Sequence, residues 1–151
     1  MITKSSGFSL VELLVVVAIL GILSAIGTVS YQGYVKSSKR TAAQNIVQQI
    51  ALAQTEEYTN SGSYIVNEAL ADGANLEDAS CDASNSSDDL EQDLFSGDNI
   101  ITDKIRFEIC VIGNSSTYKV IAKEYNAKDP YVWSGCEISL RRNSLPERTG
   151  C

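Results

Sequence analysis

One acidic side chain stands inside the most apolar part of the chain, where its charge needs a partner. Glu12 is the only charged residue between Phe8 and Val29. A carboxylate inside a bilayer costs roughly 2.5 kcal/mol or more, so such an acid is a candidate functional group. The run contains no cation, but cleavage after Gly7 would create one, the α-amino group of Phe8. That amine would lie one helical turn from Glu12 and within reach of the Glu12 side chain of a neighbouring subunit.

The segment around this acid has the order of a leader followed by a retained membrane helix. Residues Met1–Gly7 are short and polar, with Lys4 as the basic residue. A conventional secretory signal places its apolar stretch before the cleavage site, whereas here the apolar stretch follows Gly7. The run Phe8–Val29 is long enough to cross a hydrocarbon core of roughly 30 Å as a helix. Cleavage at Gly7 would therefore leave the membrane segment on the mature protein.

The residue types that remain give no support for catalysis. The 151 residues include no histidine, which excludes Ser-His-Asp and Cys-His catalytic pairs and every His-containing zinc site. No nucleophile, metal cluster or phosphate-binding loop can be assembled from the other side chains. Calcium binding in the acidic segment 68–103 is disfavoured because the EF-hand spacing with its central Gly is missing. We expect a protein that is not an enzyme, with no catalytic residue, metal or cofactor.

The charge balance disfavours nucleic acid as the main partner without excluding it. The net charge is −7, and segment 68–103 has acidic residues but no basic one. Phosphate binding needs a surface that is locally rich in Lys and Arg. The residues available for such a local stripe are Lys36, Lys39, Arg40, Arg141, Arg142 and Arg148.

The helical pattern continues beyond the apolar run and then gives way to strands. Apolar residues recur at helical spacing from Ala43 to Ala53, and the turn residues Asn60–Gly62 follow, so one helix is expected from Phe8 to about Tyr58. The acidic segment is expected on the surface, with short helical pieces around Ala69 and Leu90. Strands are predicted at Ile105–Ile112, Thr117–Tyr125 and Tyr131–Leu140. The predicted fold class is α+β, with an antiparallel sheet packed on the amphipathic half of the helix.

Four widely spaced cysteines indicate disulfides formed outside the cytoplasm. Cys81, Cys110, Cys136 and Cys151 contain no C-x-x-C pair, which disfavours zinc ribbons and thioredoxin-like chemistry. Two disulfides are expected, with three possible pairings, and four buried thiols are the alternative.

The segment Gly7-Phe-Ser-Leu-Val-Glu12-Leu resembles the class III leader junction of type IV pilins and pseudopilins. The resemblance implies that a membrane peptidase cleaves after Gly7 and N-methylates Phe8. It also implies that Glu12 serves processing and subunit registration. The chain departs from the pattern at Val29, where many pilins have a helix-kinking Pro.

Two later segments extend the resemblance. Glu57–Tyr64 is similar to the stretch that ends the long helix in many pilins, and Leu145–Cys151 is similar to their closing segment. There the final Cys usually pairs with one on a late strand, which implies a Cys136–Cys151 disulfide here and leaves Cys81 to pair with Cys110. The implied division is a leader at 1–7, a transmembrane and filament-core helix at 8–30, its amphipathic half at 31–58, an acidic αβ-loop at 59–104 and a sheet with a disulfide-bounded end at 105–151.

The resemblance implies a structural subunit of a type IV pilus that serves adhesion, twitching motility or DNA uptake. Its implied partners are further copies of itself in a helical homopolymer, the prepilin peptidase and the pilus assembly machinery. It would reside in the inner membrane as a single-pass precursor and outside the cell once assembled. The alternatives are a pseudopilin of type II secretion and a minor pilin that binds DNA or a surface.

The leader and disulfide predictions can be tested together by intact-mass spectrometry of the chain recovered from surface filaments. We expect a mature chain that begins at N-methylated Phe8 and is lighter than the reduced chain by two hydrogens for each of two disulfides. A mass that retains Met1–Gly7 would contradict the cleavage, and an unchanged mass after reduction would contradict the disulfides.

Overall fold

The structure is a computed structural model that describes residues 7–70, 75–76, 87–95, 101, 105–125 and 132–151. The chain divides into two compact units, Met1–Ser38 and Lys39–Cys151. The elements, in chain order, are α1 (Leu10–Ser61), β1 (Glu68–Ala69), α2 (Ser87–Phe95), β2 (Phe107–Asn114), β3 (Thr117–Tyr125), β4 (Trp133–Arg141) and β5 (Glu147–Thr149). Within these residues the strands form one sheet in the order β1-β2-β3-β4-β5, and the predicted α+β class is confirmed.

The first half of α1 presents its apolar side chains outward on every side. Its large apolar residues from Leu10 to Ile26 are 46 to 77 % exposed. Two hydroxyl side chains in this half bond to their own helix: Ser24 donates to the Leu20 carbonyl and Thr28 to the Ala25 carbonyl. By length and composition the helix can cross a membrane, and the bonds of Ser24 and Thr28 to its own carbonyls suit such a setting.

A glycine ends α1 three residues later than the sequence predicts. Gly62 has a φ of 76°, in the left-handed region, and its N–H donates to the Tyr58 carbonyl at 2.9 Å. This is the geometry in which a helix C-terminus is closed by a residue without a Cβ. The helix therefore runs through Ser61 rather than ending near Tyr58.

The second half of α1 supplies one wall of the core of the second unit. Ala43, Val47, Ile50 and Gln54 recur every three or four residues and are fully buried, as the helical spacing predicts. They pack against the alternate residues of β2, β3 and β4 that face the helix. The buried apolar residues of those strands in this cluster are Phe107, Ile109, Val111, Tyr118, Val120, Ala122, Cys136, Ile138 and Leu140.

The three predicted strands are present: β3 has the predicted bounds, and the bounds of the other two differ from the predicted ones by one or two residues. The first strand begins at Phe107 and continues to Asn114, and the third begins at Trp133 and continues to Arg141. β2, β3, β4 and β5 pair antiparallel in sequence order. The sequence does not predict β5, because its three residues, Glu147–Thr149, show no alternation of apolar and polar side chains.

The prediction of a helical piece around Ala69 is wrong, whereas the piece around Leu90 is confirmed as part of α2. Ala69 lies in β1, which pairs parallel with β2. Backbone and side-chain bonds fix this strand: Asn67 donates its N–H to the Val111 carbonyl at 2.9 Å and accepts the Val111 N–H on Oδ1 at 3.1 Å. The edge of β2 thus takes the backbone bonds that a local helix would have made internally.

A buried amide side chain ties the segment after α1 back to the helix. Gln54 has no exposed surface, and its Nε2 donates to the Ile65 carbonyl at 2.5 Å while its Oε1 accepts the Ile65 N–H at 3.0 Å. The Gln54 side chain therefore satisfies both the N–H and the carbonyl of the Ile65 backbone, as a neighbouring strand would.

The C-terminal segment is held by a disulfide and by a close backbone approach. Cys136 and Cys151 form the disulfide that the resemblance implies, with a Cα–Cα distance of 4.5 Å. A Cβ on Gly150 would lie 1.9 Å from the Gly135 carbonyl oxygen, so the two strands approach this closely only with glycine. Cys110 is also disulfide-bonded. Its expected partner, Cys81, lies outside the described residues, so that pairing stays a prediction.

Replacing Gln54 with Leu is expected to destabilise the second unit by about 1–3 kcal/mol, because both Ile65 groups would be left without their partner. The melting temperature of the full chain in mild detergent should fall by at least about 4 °C. Gln49→Leu makes the same chemical change at an exposed position of the same helix and should leave the melting temperature nearly unchanged. Equal melting temperatures for the two variants would contradict the role assigned to Gln54.

Candidate assembly segment and nucleic-acid interface

The carboxylate of Glu12 closes the N-terminal end of α1. Its Oε2 accepts the Ser9 N–H at 2.9 Å, and the Leu13 N–H donates to the Ser9 carbonyl at 3.2 Å. An acid at this position satisfies an amide that the helix leaves unpaired, and it complements the positive end of the helix dipole. The helix therefore begins directly after Ser9, while Gly7 and Phe8 are not helical.

The predicted cleavage junction is exposed next to this helix end. Phe8 is 80 % exposed, and a Cβ added at Gly7 would meet nothing within 4 Å. With the Gly7–Phe8 peptide bond intact, the Phe8 nitrogen is an uncharged amide, so the ion pair with Glu12 that the sequence suggests has no cation. The intact chain thus gives Glu12 a backbone partner, and its pairing with the Phe8 amine stays a prediction about the mature chain.

In the second unit, Arg40 joins α1 to β3 and to the end of the chain. Its Nη2 and Nε donate to Glu124 Oε2 at 2.9 and 3.2 Å, and its Nη1 donates to the Cys151 carbonyl oxygen at 2.5 Å. Ser134 donates to the same Glu124 oxygen at 3.1 Å. Removing Arg40 would leave a largely buried carboxylate without its cation, so this arginine acts as a structural link.

Arg148 brings a second cation to the same side of α1. It lies on β5, is exposed, and donates from Nη2 to Gln44 Oε1 on the helix. Gln44 is neutral, so this contact orients the guanidinium without cancelling its charge. β5 thereby places beside the helix an arginine with no carboxylate partner among the described residues, at Gln44, four residues beyond Arg40.

A third arginine lies on a cluster of tyrosines at the C-terminal end of α1. The Arg142 guanidinium carbon is 5.9 Å from the ring centroid of Tyr58 and 5.6 Å from that of Tyr64, and Nη1 donates to the Ser116 carbonyl at 3.0 Å. Tyr58 stacks on Tyr64 with centroids 4.6 Å apart, and Tyr118 lies 4.8 Å from Tyr64. Cation–π contacts of this kind hold a guanidinium in place while it keeps its charge.

Burial affects the hydroxyl group of Tyr118, the member of this cluster that lies on β3. Desolvation raises the pKa of Tyr118 above its usual value, the neighbouring Tyr64 raises it further, and Arg142 lowers it. Tyr118 donates its hydroxyl proton to the Ala51 carbonyl of α1 at 3.4 Å. Tyr118 is therefore a buried hydrogen-bond donor that ties β3 to α1.

Arg40, Arg148 and Arg142 follow α1 along one side, and we call this line the basic seam. The helix residues that they contact run from 40 to 58, which is about 27 Å at the helical rise. A carboxylate partner is present for Arg40, whereas neither Arg142 nor Arg148 pairs with a carboxylate among the described residues. Two exposed cations thus lie on a seam about as long as eight base pairs of duplex DNA.

The six basic residues named from the sequence do not all join this seam. Arg141 is half-buried and has a partner of its own, and Lys36 belongs to the first unit. Lys39 precedes Arg40 on α1 and is half-buried. No sequence pattern predicts the tyrosine cluster, although Tyr58 and Tyr64 flank the Gly62 turn. Tyr118 joins them only through the register of β3 with β2.

Two protein-family models match the chain in succession. The model described as "Prokaryotic N-terminal methylation motif" matches residues 2–28, the segment that contains Gly7, Phe8 and Glu12. The model described as "Type IV minor pilin ComP, DNA uptake sequence receptor" matches residues 29–131, well over half of the chain.

Curated relatives match over a shorter stretch. The fimbrial protein EcpC of Eikenella corrodens is 40% identical over 65 residues, which are 43% of this chain and 42% of the relative. A fimbrial protein of Neisseria meningitidis serogroup A is 36% identical over 76 residues, 50% of this chain and 45% of the relative. The type IV major pilin protein PilE1 of Neisseria gonorrhoeae is 36% identical over 69 residues, 46% of this chain and 42% of the relative.

The aligned part of the chain thus spans less than half the length of these relatives, and no solved structure matches. The family model covers far more of the chain than any of these alignments does. Together with the methylation motif and the helix-and-sheet fold, it identifies the chain as a type IV pilin that belongs to the family of the minor pilin ComP, the DNA uptake sequence receptor.

Proposed function

We propose that this chain is a minor subunit of a type IV pilus and that its second unit binds DNA on the outside of the filament. The family model carries the first part of this proposal, since its description is that of a minor pilin and DNA uptake sequence receptor. The basic seam supports the second part, because it gives an acidic protein a local surface for phosphates.

Assembly would begin with cleavage of the Gly7–Phe8 bond and methylation of the new Phe8 amine. The exposed apolar half of α1 would hold the subunit in the inner membrane and then pack among the helices of other subunits. In that environment the Glu12 carboxylate needs a cation, and the Phe8 amine of a neighbouring subunit supplies one. The pair would form only in one register between subunits, which is how a single charge can align a filament.

The pilus is favoured over the type II secretion pseudopilus. The relatives that match are named as fimbrial and pilin proteins. A role as the main subunit of the filament is the second candidate, since the gonococcal relative is named a major pilin. Motility and adhesion are properties of a whole filament, and no residue of this chain favours one of them.

DNA binding would depend on the local field of the seam, because the net charge of −7 repels DNA at longer range. Each phosphate that an arginine neutralises releases condensed counterions, which makes the affinity fall with salt. Two exposed arginines and the partly compensated Arg40 would give a log–log salt slope of about −2 to −3 on duplex DNA. Such weak electrostatic binding suits a receptor that is present in many copies along a filament or that also contacts the bases of the DNA.

Replacing Arg148 with Gln is expected to weaken binding of a duplex oligonucleotide by about three- to tenfold and to reduce the salt slope by about one. The physical reason is the loss of one phosphate contact, while the Gln44 contact retains a polar partner. The measurement is fluorescence anisotropy with the full chain in detergent at several salt concentrations.

Lys123→Gln provides the matched control, because it makes the same change in net charge on the other face of the sheet. Lys123 lies 4.0 Å from Glu137 and is not part of the seam. Its variant should bind duplex DNA as the wild type does. Equal losses in the two variants would mean that net charge alone governs binding, and a wild-type chain that binds no DNA would overturn the proposed function.

A further inference from the structure

A cavity of about 560 Å³, which we call the cleft, lies at one end of the basic seam, between the last turns of α1 and the turn that joins β4 to β5. Its size is that of a site for one small organic ligand rather than a crevice between side chains.

Arg142 is the one charged residue among those that line this cavity. Its backbone N–H donates to the Tyr118 carbonyl at 3.3 Å, and its side chain is held by the Ser116 carbonyl and the two tyrosine rings. One guanidinium nitrogen is used in the Ser116 contact, which leaves further N–H groups of a fixed fork to meet an anion. The site therefore offers a positioned cation, and the described residues that line it include no carboxylate.

Two exposed leucines also line the cavity and give part of its wall an apolar surface. Leu52 is 72 % exposed and Leu145 is 82 % exposed, and both line the cavity together with Pro146. Two exposed leucines that line the same cavity as a guanidinium suit a ligand with an apolar face and a negative group. Thr55, Thr59 and Asn143 add neutral hydrogen-bonding groups around them.

We propose that this cleft binds one unpaired nucleotide of a DNA strand, with a phosphate on Arg142 and the base against Leu52 and Leu145. This inference rests on the proposed function and deepens it: the seam would hold the phosphate backbone, and the cleft would take a base from a strand end or a single-stranded stretch. Apolar contact with a base face tolerates many sequences and adds affinity that salt does not remove, because the burial of apolar surface is not screened by ions. An apolar helix of a neighbouring copy would cover the leucines but would leave Arg142 without an anion.

The test compares two oligonucleotides of equal length and charge, one single-stranded with bases and one with abasic sites. Fluorescence anisotropy with the full chain in detergent should show the wild type binding the oligonucleotide with bases about tenfold more tightly. Leu145→Ser should lower this ratio toward one without changing the salt slope. Arg142→Gln should weaken binding of both oligonucleotides and reduce the slope by about 0.7.

Arg148→Gln is the control, because it removes a seam arginine outside the cleft and should weaken both oligonucleotides equally, leaving the ratio intact. Leu145 is so exposed that its replacement should not alter the melting temperature, which is measured in parallel. A wild-type ratio of one, with duplex DNA still bound, would overturn the cleft and spare the proposed function. A Leu145→Ser chain that keeps the ratio but fails to enter filaments would also overturn it, and would assign the cleft to subunit contact.

Discussion

The rest of the structure depends on one constraint, which is that a single helix must present two different surfaces. The first half of α1 is apolar on all sides and exposed, whereas the second half buries the stripe that runs from Ala43 to Gln54. Lipid or other helices would satisfy the first surface, and the sheet satisfies the second. Because both lie on one uninterrupted helix, Leu10–Ser61, whatever holds its apolar half also holds the head.

The seam and the cleft are consequences of how the sheet closes against that helix. β5 lies beside α1 because the Cys136–Cys151 disulfide and the close approach of Gly150 to Gly135 hold the end of the chain. Arg40 then reaches both Glu124 and the Cys151 carbonyl, which ties three elements together in the second unit. The exposed arginines of the seam are thus placed by contacts that stabilise the fold, so the folded head carries its basic surface despite an acidic composition.

Much of this could be predicted from residue patterns, and the failures have physical reasons. Long elements with strong periodicity, such as α1 and the strands β2 to β4, follow from local sequence. β1 could not be predicted, because Ala69 is in a strand only through bonds to a distant edge of β2. The tyrosine cluster depends on the register that brings Tyr118 to Tyr64, and register is set by the whole sheet. Glu12 can be singled out from the sequence alone, because a charge inside an apolar run costs free energy whatever the fold around it.

The central claim is that polymerisation through α1 carries the head to the cell surface, with Glu12 aligning the subunits. The most direct test is to shear filaments from cells that make either the wild-type chain or Glu12→Ala and to quantify the chain in filament and membrane fractions by immunoblot. We expect equal amounts of the two chains in the membrane and at least about tenfold less Glu12→Ala chain in the filaments. Filaments that contain as much of the Glu12→Ala chain as of the wild type would contradict it.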